Sequence, residues 1–334
     1  MRAYLPAAAV CAALALACGS ALPAVADSGP SVAFRIGDPR ITESSGLAAS
    51  RAHPGVYWTH NDSGDGPYVF AVDSTGKTLA KVTMRGVHAR DVEAISIGPD
   101  GDLYVGDIGD NLDGTWPEVW IYRFHEPQQL HDQTVDVTRY KVRYQGGPRN
   151  AEALMVQPTT GRVYIASKHE DGGHLYAGPA KLSTEGVNLF HPVADVPWVT
   201  DGAFSPDGSR LVLRGYFWST EYRWVDGLPK KLASLDVPME PQGESVTFTT
   251  DGRALMYGSE GKDSQVWRVP LSAADLPADD ASPSAAPGHG SSASTAKDVP
   301  AHKAGNKVLG FAILAGIAAL GYGLRKSLRR PRKD

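Results

Sequence analysis

The chain has 334 residues, 42% of them hydrophobic and 21% charged, with a net charge of −4 at neutral pH, a balance ordinary for a globular protein. Chain ends aside, the charge is more negative still, so a nucleic-acid partner is disfavoured and a cationic one is not.

Residues 1–26 have a basic start at Arg2, an Ala/Leu-rich core and the small-residue run Ala24-Val25-Ala26. This is the pattern of a cleaved export signal, with Asp27 as the mature N-terminus. A lipid-modified Cys18 is the rival reading, although Leu16 fits a lipobox poorly. Cleavage after Ala26 removes both cysteines, Cys11 and Cys18. The exported domain, residues 27–271, then has neither disulfides nor thiolates and must be held by its own core.

Within that domain one motif recurs: an acid, a short apolar strand, a turn with Pro or Asp-Gly, and a second apolar strand. It opens at Glu43 ("ESSGLAAS"), Glu93 ("EAISIGPDGDLYVGD"), Glu152 ("EALMVQPTTGRVYIAS"), Asp201 ("DGAFSPDGSRLVLRG") and Glu244 ("ESVTFTTDGRALMYGSE"), at spacings of 50, 59, 49 and 43 residues. Such a period matches four-stranded propeller blades. Two further strands follow each of the first four motifs, but only "QVWRVPL" follows the fifth. The unassigned N-terminal segment "SVAFRIG", residues 31–37, supplies the missing outer strand and closes the ring. The expected fold is all-β, a five-bladed β-propeller closed by an N-terminal strand, or six-bladed if a long connection hides a degenerate blade.

Beyond it, residues 272–306 form an Ala/Ser/Pro-rich linker that buries too little apolar surface to order itself. Residues 307–324 read as one transmembrane helix and 325–334 as a basic tail, which the positive-inside rule places in the cytoplasm. Setting aside Arg2, the tail's six bases and Asp334, the rest carries about −10. The expected location is the cell membrane, single-pass, with the N-terminal domain extracellular.

The innermost strand of each blade lines a propeller's channel, so Glu43, Glu93, Glu152, Asp201 and Glu244 are expected at equivalent places near it. Converging carboxylates repel, and protonation, basic neighbours or a bound cation must compensate. Calcium would suit such oxygen ligands, with Glu43, Glu93, Glu152 and Glu244 as the candidate metal set. The second strands end in another polar group, Asn61, Asp62, Asp107, Asp110, Asn111, Lys168, Arg214 and Glu260, which are candidate ligand-binding residues at one channel mouth. Lys168 and Arg214 are cations that could offset the acids without a metal. His88, Asp91 and Lys168 are the candidate catalytic groups. Trp218, near a loop, is a candidate for stacking on a sugar. Fold punctuation is the competing account: Asp100, Asp207 and Asp251 lie in turns, and strand-end acids commonly accept backbone N–H bonds. The sequence has no GxSxG elbow, HExxH helix, P-loop or strand-borne GxGxxG.

The runs "DVEAISI", "GDLYVGDIGDN" and "EVWIYRFHEP", with "ESSGLAAS" and "YWTHNDSG" upstream, resemble bacterial secreted or membrane-anchored β-propeller proteins labelled WD-repeat-like or phytase-esterase-like. The resemblance covers residues 43–271. It implies the propeller and transfers no reaction, since propellers host binding and catalysis alike. Two functions are therefore expected: a binding module for an envelope protein, glycan or small ligand, or a divalent-cation-dependent hydrolase of a phosphoester or lactone. A phytase-like role is weakened by the scarcity of bases around Lys168, Arg214 and Arg90.

Overall fold

The computed structural model describes residues 29–272 except 63–64, 112–113 and 170. The expected export signal, the linker beyond residue 272, the membrane helix and the basic tail lie outside the described residues.

All regular elements described are β-strands, and they fall into five antiparallel units. The first contains β2 (Ser44–Ala49), β3 (Val56–Asn61), β4 (Tyr68–Asp73) and β5 (Thr78–Met84). The second contains β6 (Val92–Ile97), β7 (Asp102–Asp107), β8 (Val119–His125) and β10 (Thr138–Tyr144). The third runs from β11 (Ala151–Val156) through β12 (Val163–Ser167) and β13 (Gly173–Ala177) to β14 (Val187–Val196). The fourth comprises β15 (Asp201–Phe204), β16 (Arg210–Gly215), β17 (Trp218–Val225) and β18 (Leu228–Leu235). The fifth holds β19 (Gly243–Phe248), β20 (Ala254–Ser259) and β21 (Gln265–Pro270). Its fourth strand is β1 (Ser31–Arg35), which pairs antiparallel with β21, Ser31 opposite Arg268 and Arg35 opposite Gln265.

The inner strands form a closed ring: β2 packs on β6, β6 on β11, β11 on β15, β15 on β19, and β19 back on β2. This is an all-β, propeller-type arrangement, and its core lies between units rather than inside them. Trp58 and Val82 of the first unit pack with Ile95 and Tyr122 of the second. Ile121 meets Ile165 between the second and third, and Met155 meets Leu213 between the third and fourth. Val212 meets Tyr257 between the fourth and fifth, and Phe70 meets Met256 where the fifth returns to the first. The inner and middle strands bury side chains on both faces because their sheet has a neighbour on both sides, which explains the apolar runs in β11, β12 and β20, whereas the outer strands β10 and β14 alternate buried and exposed positions.

Two connections go beyond the sequence reading. A short strand β9 (Gln133–Val135) leaves the second unit and pairs parallel with β5 of the first. The outer strands β10 and β14 also pair in parallel, so the second and third units form one eight-stranded sheet. The turns behave as expected. Gly101, Gly208 and Gly252 sit at φ +77, +74 and +69, a region that glycine enters without cost. Asp207 accepts from Ser209 N (3.1 Å), and Asp251 accepts from Arg253 N (3.0 Å). Asp100, in the same kind of turn, pairs with Arg123 at 2.5 Å.

Candidate functional site

Three of the recurring acids are placed by the same irregularity. In β6 the pairing with β7 slips between Val92 and Ala94, leaving Glu93 as the extra residue. The pairing of β11 slips between Ala151 and Ala153 around Glu152, and that of β19 between Gly243 and Ser245 around Glu244. A β-bulge re-aims one side chain while the strand continues. Here each bulge sits at the start of an inner strand, and the three carboxylates meet at one end of the channel.

The same register corrects the expected equivalence. In β2 the slip lies between Ser44 and Gly46, so Ser45 occupies the bulge and Glu43 lies two residues ahead of it. Glu43 thus corresponds to Asp91, which precedes Glu93 by two. In β15, Asp201 pairs with Arg214 and Gly202 with Leu213 without a slip, so the fourth unit carries no bulged acid. Asp201 instead accepts from Gly202 N (2.7 Å) and Val246 N (2.8 Å), clamping β15 to β19. For this residue the fold-punctuation account holds.

The acids that converge come from four units. Oxygens of Asp62, Asp91 and Glu93 lie within 4.8 Å of one another. Glu93 feels the charges of Asp62, Glu152 and Asp91, and Glu244 those of Glu152 and Asp62. Burial, followed by those neighbouring charges, pushes Glu93 well above the usual carboxyl range. Burial raises Glu152 as well, with Lys168 opposing. Glu244 is pushed up to about 7 by burial, against the lowering influence of Lys168. Its Oε1 accepts from Gln242 Nε2 at 3.1 Å, while Oε2 is buried without a hydrogen-bond partner.

Lys168 is the internal counter-charge. Its Nζ lies 3.0 Å from Glu152 Oε1 and 3.2 Å from Tyr216 Oη, with the Tyr216 and Trp198 rings 5.2 and 5.8 Å away. Burial alone would lower its pKa, but Glu152, Tyr216, Glu244 and Glu93 together hold it well above the usual lysine value. Tyr216 itself is pushed up by burial and by Glu244. Lys168 therefore stays charged, and its charge is shared among several carboxyls.

Room for this cluster depends on Gly109. A Cβ there would fall 2.5 Å from Asp91 Oδ2 and 2.6 Å from Glu93 Oε1. The glycine lets the backbone come close to two carboxylates that any larger residue would displace.

The other expected site residues divide between the cluster's surroundings and the fold. Asn111 donates Nδ2 to Asp91 Oδ2 at 3.0 Å. Glu260 accepts from Gln242 Nε2, and Gln242 thereby bridges Glu260 and Glu244. Asn61 is spent on structure: Oδ1 accepts from Thr42 N and Glu43 N, both at 3.1 Å, and Nδ2 donates to Arg40 O at 2.7 Å. Asp107 is fully buried and accepts from Asp91 N at 2.9 Å. Asp110 accepts from Trp116 N (2.5 Å) and Thr115 Oγ1 (3.1 Å) to fix its loop.

Arg214 is likewise not displayed to a ligand. It is fully buried, donating to Ser245 O (2.8 Å) and Gly258 O (3.2 Å) and pairing with Glu240 at 3.1 Å. That partner, missed in the sequence, sits in an irregular connection with no motif around it. His88 is exposed on the loop before β6. Trp218 packs with the core between the third and fourth units. Among the described residues, Trp198 and Phe217 are aromatics exposed on the loops at the acidic end.

No protein-family model and no curated protein matches the chain. Among solved structures it is similar to the WD40 repeats of RRP9, with 11% identity, a TM-score of 0.38, and coverage of 68% of this chain and 67% of that one. It is also similar to a gluconolactonase from Xanthomonas campestris, with 14% identity, a TM-score of 0.44, and coverage of 73% and 95%. The likeness is of fold alone, and no residue role is taken from either.

Proposed function

We propose that the chain is a five-bladed β-propeller, held outside the cell by a single C-terminal membrane helix, that works as a binding module through the acidic end of its channel. The closed ring of five inner strands supports the blade count, and the sequence pattern of residues 1–26 and 307–334 supports export and tethering. The observation that carries the binding reading is the gathering of five carboxyls, with Asp62 and Asp91 beside Glu93, and Glu93, Glu152 and Glu244 acting on the ammonium of Lys168. Clustered carboxyls that resist ionising because of burial and one another ionise more readily beside a ligand that brings positive charge, and so favour it. An envelope protein with a basic segment, an amino-bearing glycan or a small cation has that chemistry. The test is thermal unfolding of the full chain in lipid nanodiscs with glucosamine oligomers and a lysine-rich peptide. A rise in Tm that disappears in Glu93→Gln supports the reading, and identical behaviour of the two proteins rejects it.

A second reading, a divalent-cation-dependent hydrolase, is favoured by the close approach of Asp62, Asp91 and Glu93. Carboxylate oxygens so grouped fit a hard ion such as calcium, and Gly109 leaves the carboxylates their space. Of the set expected from sequence, this grouping keeps Glu93 and replaces Glu43, Glu152 and Glu244 with Asp62 and Asp91. A bound ion would supply Lewis acidity toward a phosphoester or lactone. Hydrolysis of p-nitrophenyl phosphate or gluconolactone that requires Ca²⁺ and vanishes in Asp91→Asn would support this reading. Absence of turnover on both substrates would leave the binding reading alone.

A further inference from the structure

The opposite end of the channel has different chemistry. The far halves of all five inner strands line a half-open cavity of about 300 Å³, at the small end of the range for ligand pockets. Leu47, Ile95, Ile97, Val156, Phe204 and Phe248 supply apolar walls, and no acid lines it. Its one charged lining residue among those described is Arg51, which directly follows the turn residue Ser50 at the end of β2.

The acids nearest Arg51 are engaged elsewhere. Glu126 accepts from Ser50 Oγ, from Trp58 Nε1 at 2.7 Å and from Ala52 N at 3.2 Å. Asp100 is paired with Arg123. Burial lowers the Arg51 pKa, with only the distant influence of Glu126 and Asp100 opposing it. Arg51 is exposed at the rim of this apolar pocket, and a guanidinium so placed fits a carboxylate, which it can hold through two parallel N–H···O bonds.

We propose that this cavity is a second binding site, separate from the acidic end, for a small carboxylate with a single-ring or short aliphatic body, whose head pairs with Arg51. The channel thereby has two ends of opposite preference, one for cationic groups and one for an apolar anion.

The test uses the full chain in lipid nanodiscs, with 4-fluorophenylacetate as the probe, read by ¹⁹F line broadening against empty nanodiscs. The expected result is saturable broadening that weakens about tenfold in Arg51→Gln, the scale of a lost charge-assisted bond. Glu93→Gln at the acidic end should leave it unchanged, which separates this site from the one proposed above. The neutral 4-fluorophenylacetamide should bind wild type more weakly than the acid does, and Arg51→Gln should no longer tell the two probes apart. Equal broadening by wild type and Arg51→Gln, or no broadening beyond empty nanodiscs, would overturn the proposal. So would an amide that binds wild type as tightly as the acid.

Discussion

Replacing Glu244 with Gln should stabilise the protein at pH 8 and not at pH 4. The Glu244 carboxyl is held at about 7 in the folded chain against 4.5 for an ordinary glutamate. Each pKa step of one corresponds to roughly 1.4 kcal/mol, so ionising Glu244 costs the fold about 3 kcal/mol once the pH exceeds 7. A group whose folded value is raised stabilises fully below the unfolded value, and that contribution is lost as pH rises from 4.5 toward 7. Glutamine keeps the shape and can still accept from Gln242, and an uncharged NH₂ takes the place of the buried, partnerless Oε2. The assay is urea unfolding of both proteins in nanodiscs with EDTA, at several pH values between 4 and 8. Glu93 and Glu152 are shifted in the same direction and leave a slope in both proteins, so the readout is the difference between them. A gap of about 2–3 kcal/mol that opens in favour of Gln with rising pH is expected. A variant less stable than wild type at pH 8, or a gap that does not change with pH, would refute the electrostatic account of the cluster.

Gly109→Ala should destabilise by about 1–3 kcal/mol, because its Cβ must displace the Asp91 and Glu93 carboxylates or the loop itself, and it should weaken cation binding in the same protein. Urea unfolding and Ca²⁺ titration of that variant check both effects. Arg214→Met should cost about 3–5 kcal/mol, since it leaves Glu240 buried without its partner, and Tm will report it. Asp201→Ala, which strips the Val246 N–H of its acceptor, should cost about 1–3 kcal/mol with no effect on ligand or ion binding at the acidic end.

The repeat units were legible because each motif announces itself twice, by apolar strands and by a turn with an obligatory glycine. The closing strand followed from counting, and β1 lies on β21 as the count required. The parallel contact of β10 with β14 was not legible, since outer strands of neighbouring units meet through tertiary packing that leaves no local pattern. Of the five acids expected near the channel, Glu93, Glu152 and Glu244 meet at one end of it, and Asp201 does not. The error was in the register: aligning on the first acid of each motif matched Glu43 to Glu93, whereas the bulge matches Ser45 to it. A polar pair spaced by one residue carried the missing signal, in Glu43-x-Ser45, Asp91-x-Glu93, Asn150-x-Glu152 and Gln242-x-Glu244. Arg214 looked like a mouth cation because a strand-end arginine gives no sign of which way it points. The interior carbonyls of Ser245 and Gly258 claim it instead.

The acidic end of the channel, short of positive charge, should take it from a ligand. Calorimetric titration of Ca²⁺, the simplest compact cation, into EDTA-washed full chain at pH 7.5 tests it most directly. Saturable binding near one equivalent, a rise in Tm on binding, and loss of both in Glu93→Gln are expected. Absence of binding heat and a Tm indifferent to calcium, together with no response to the glucosamine or lysine-rich ligands, would contradict it and leave the acids to Lys168, protonation and the fold.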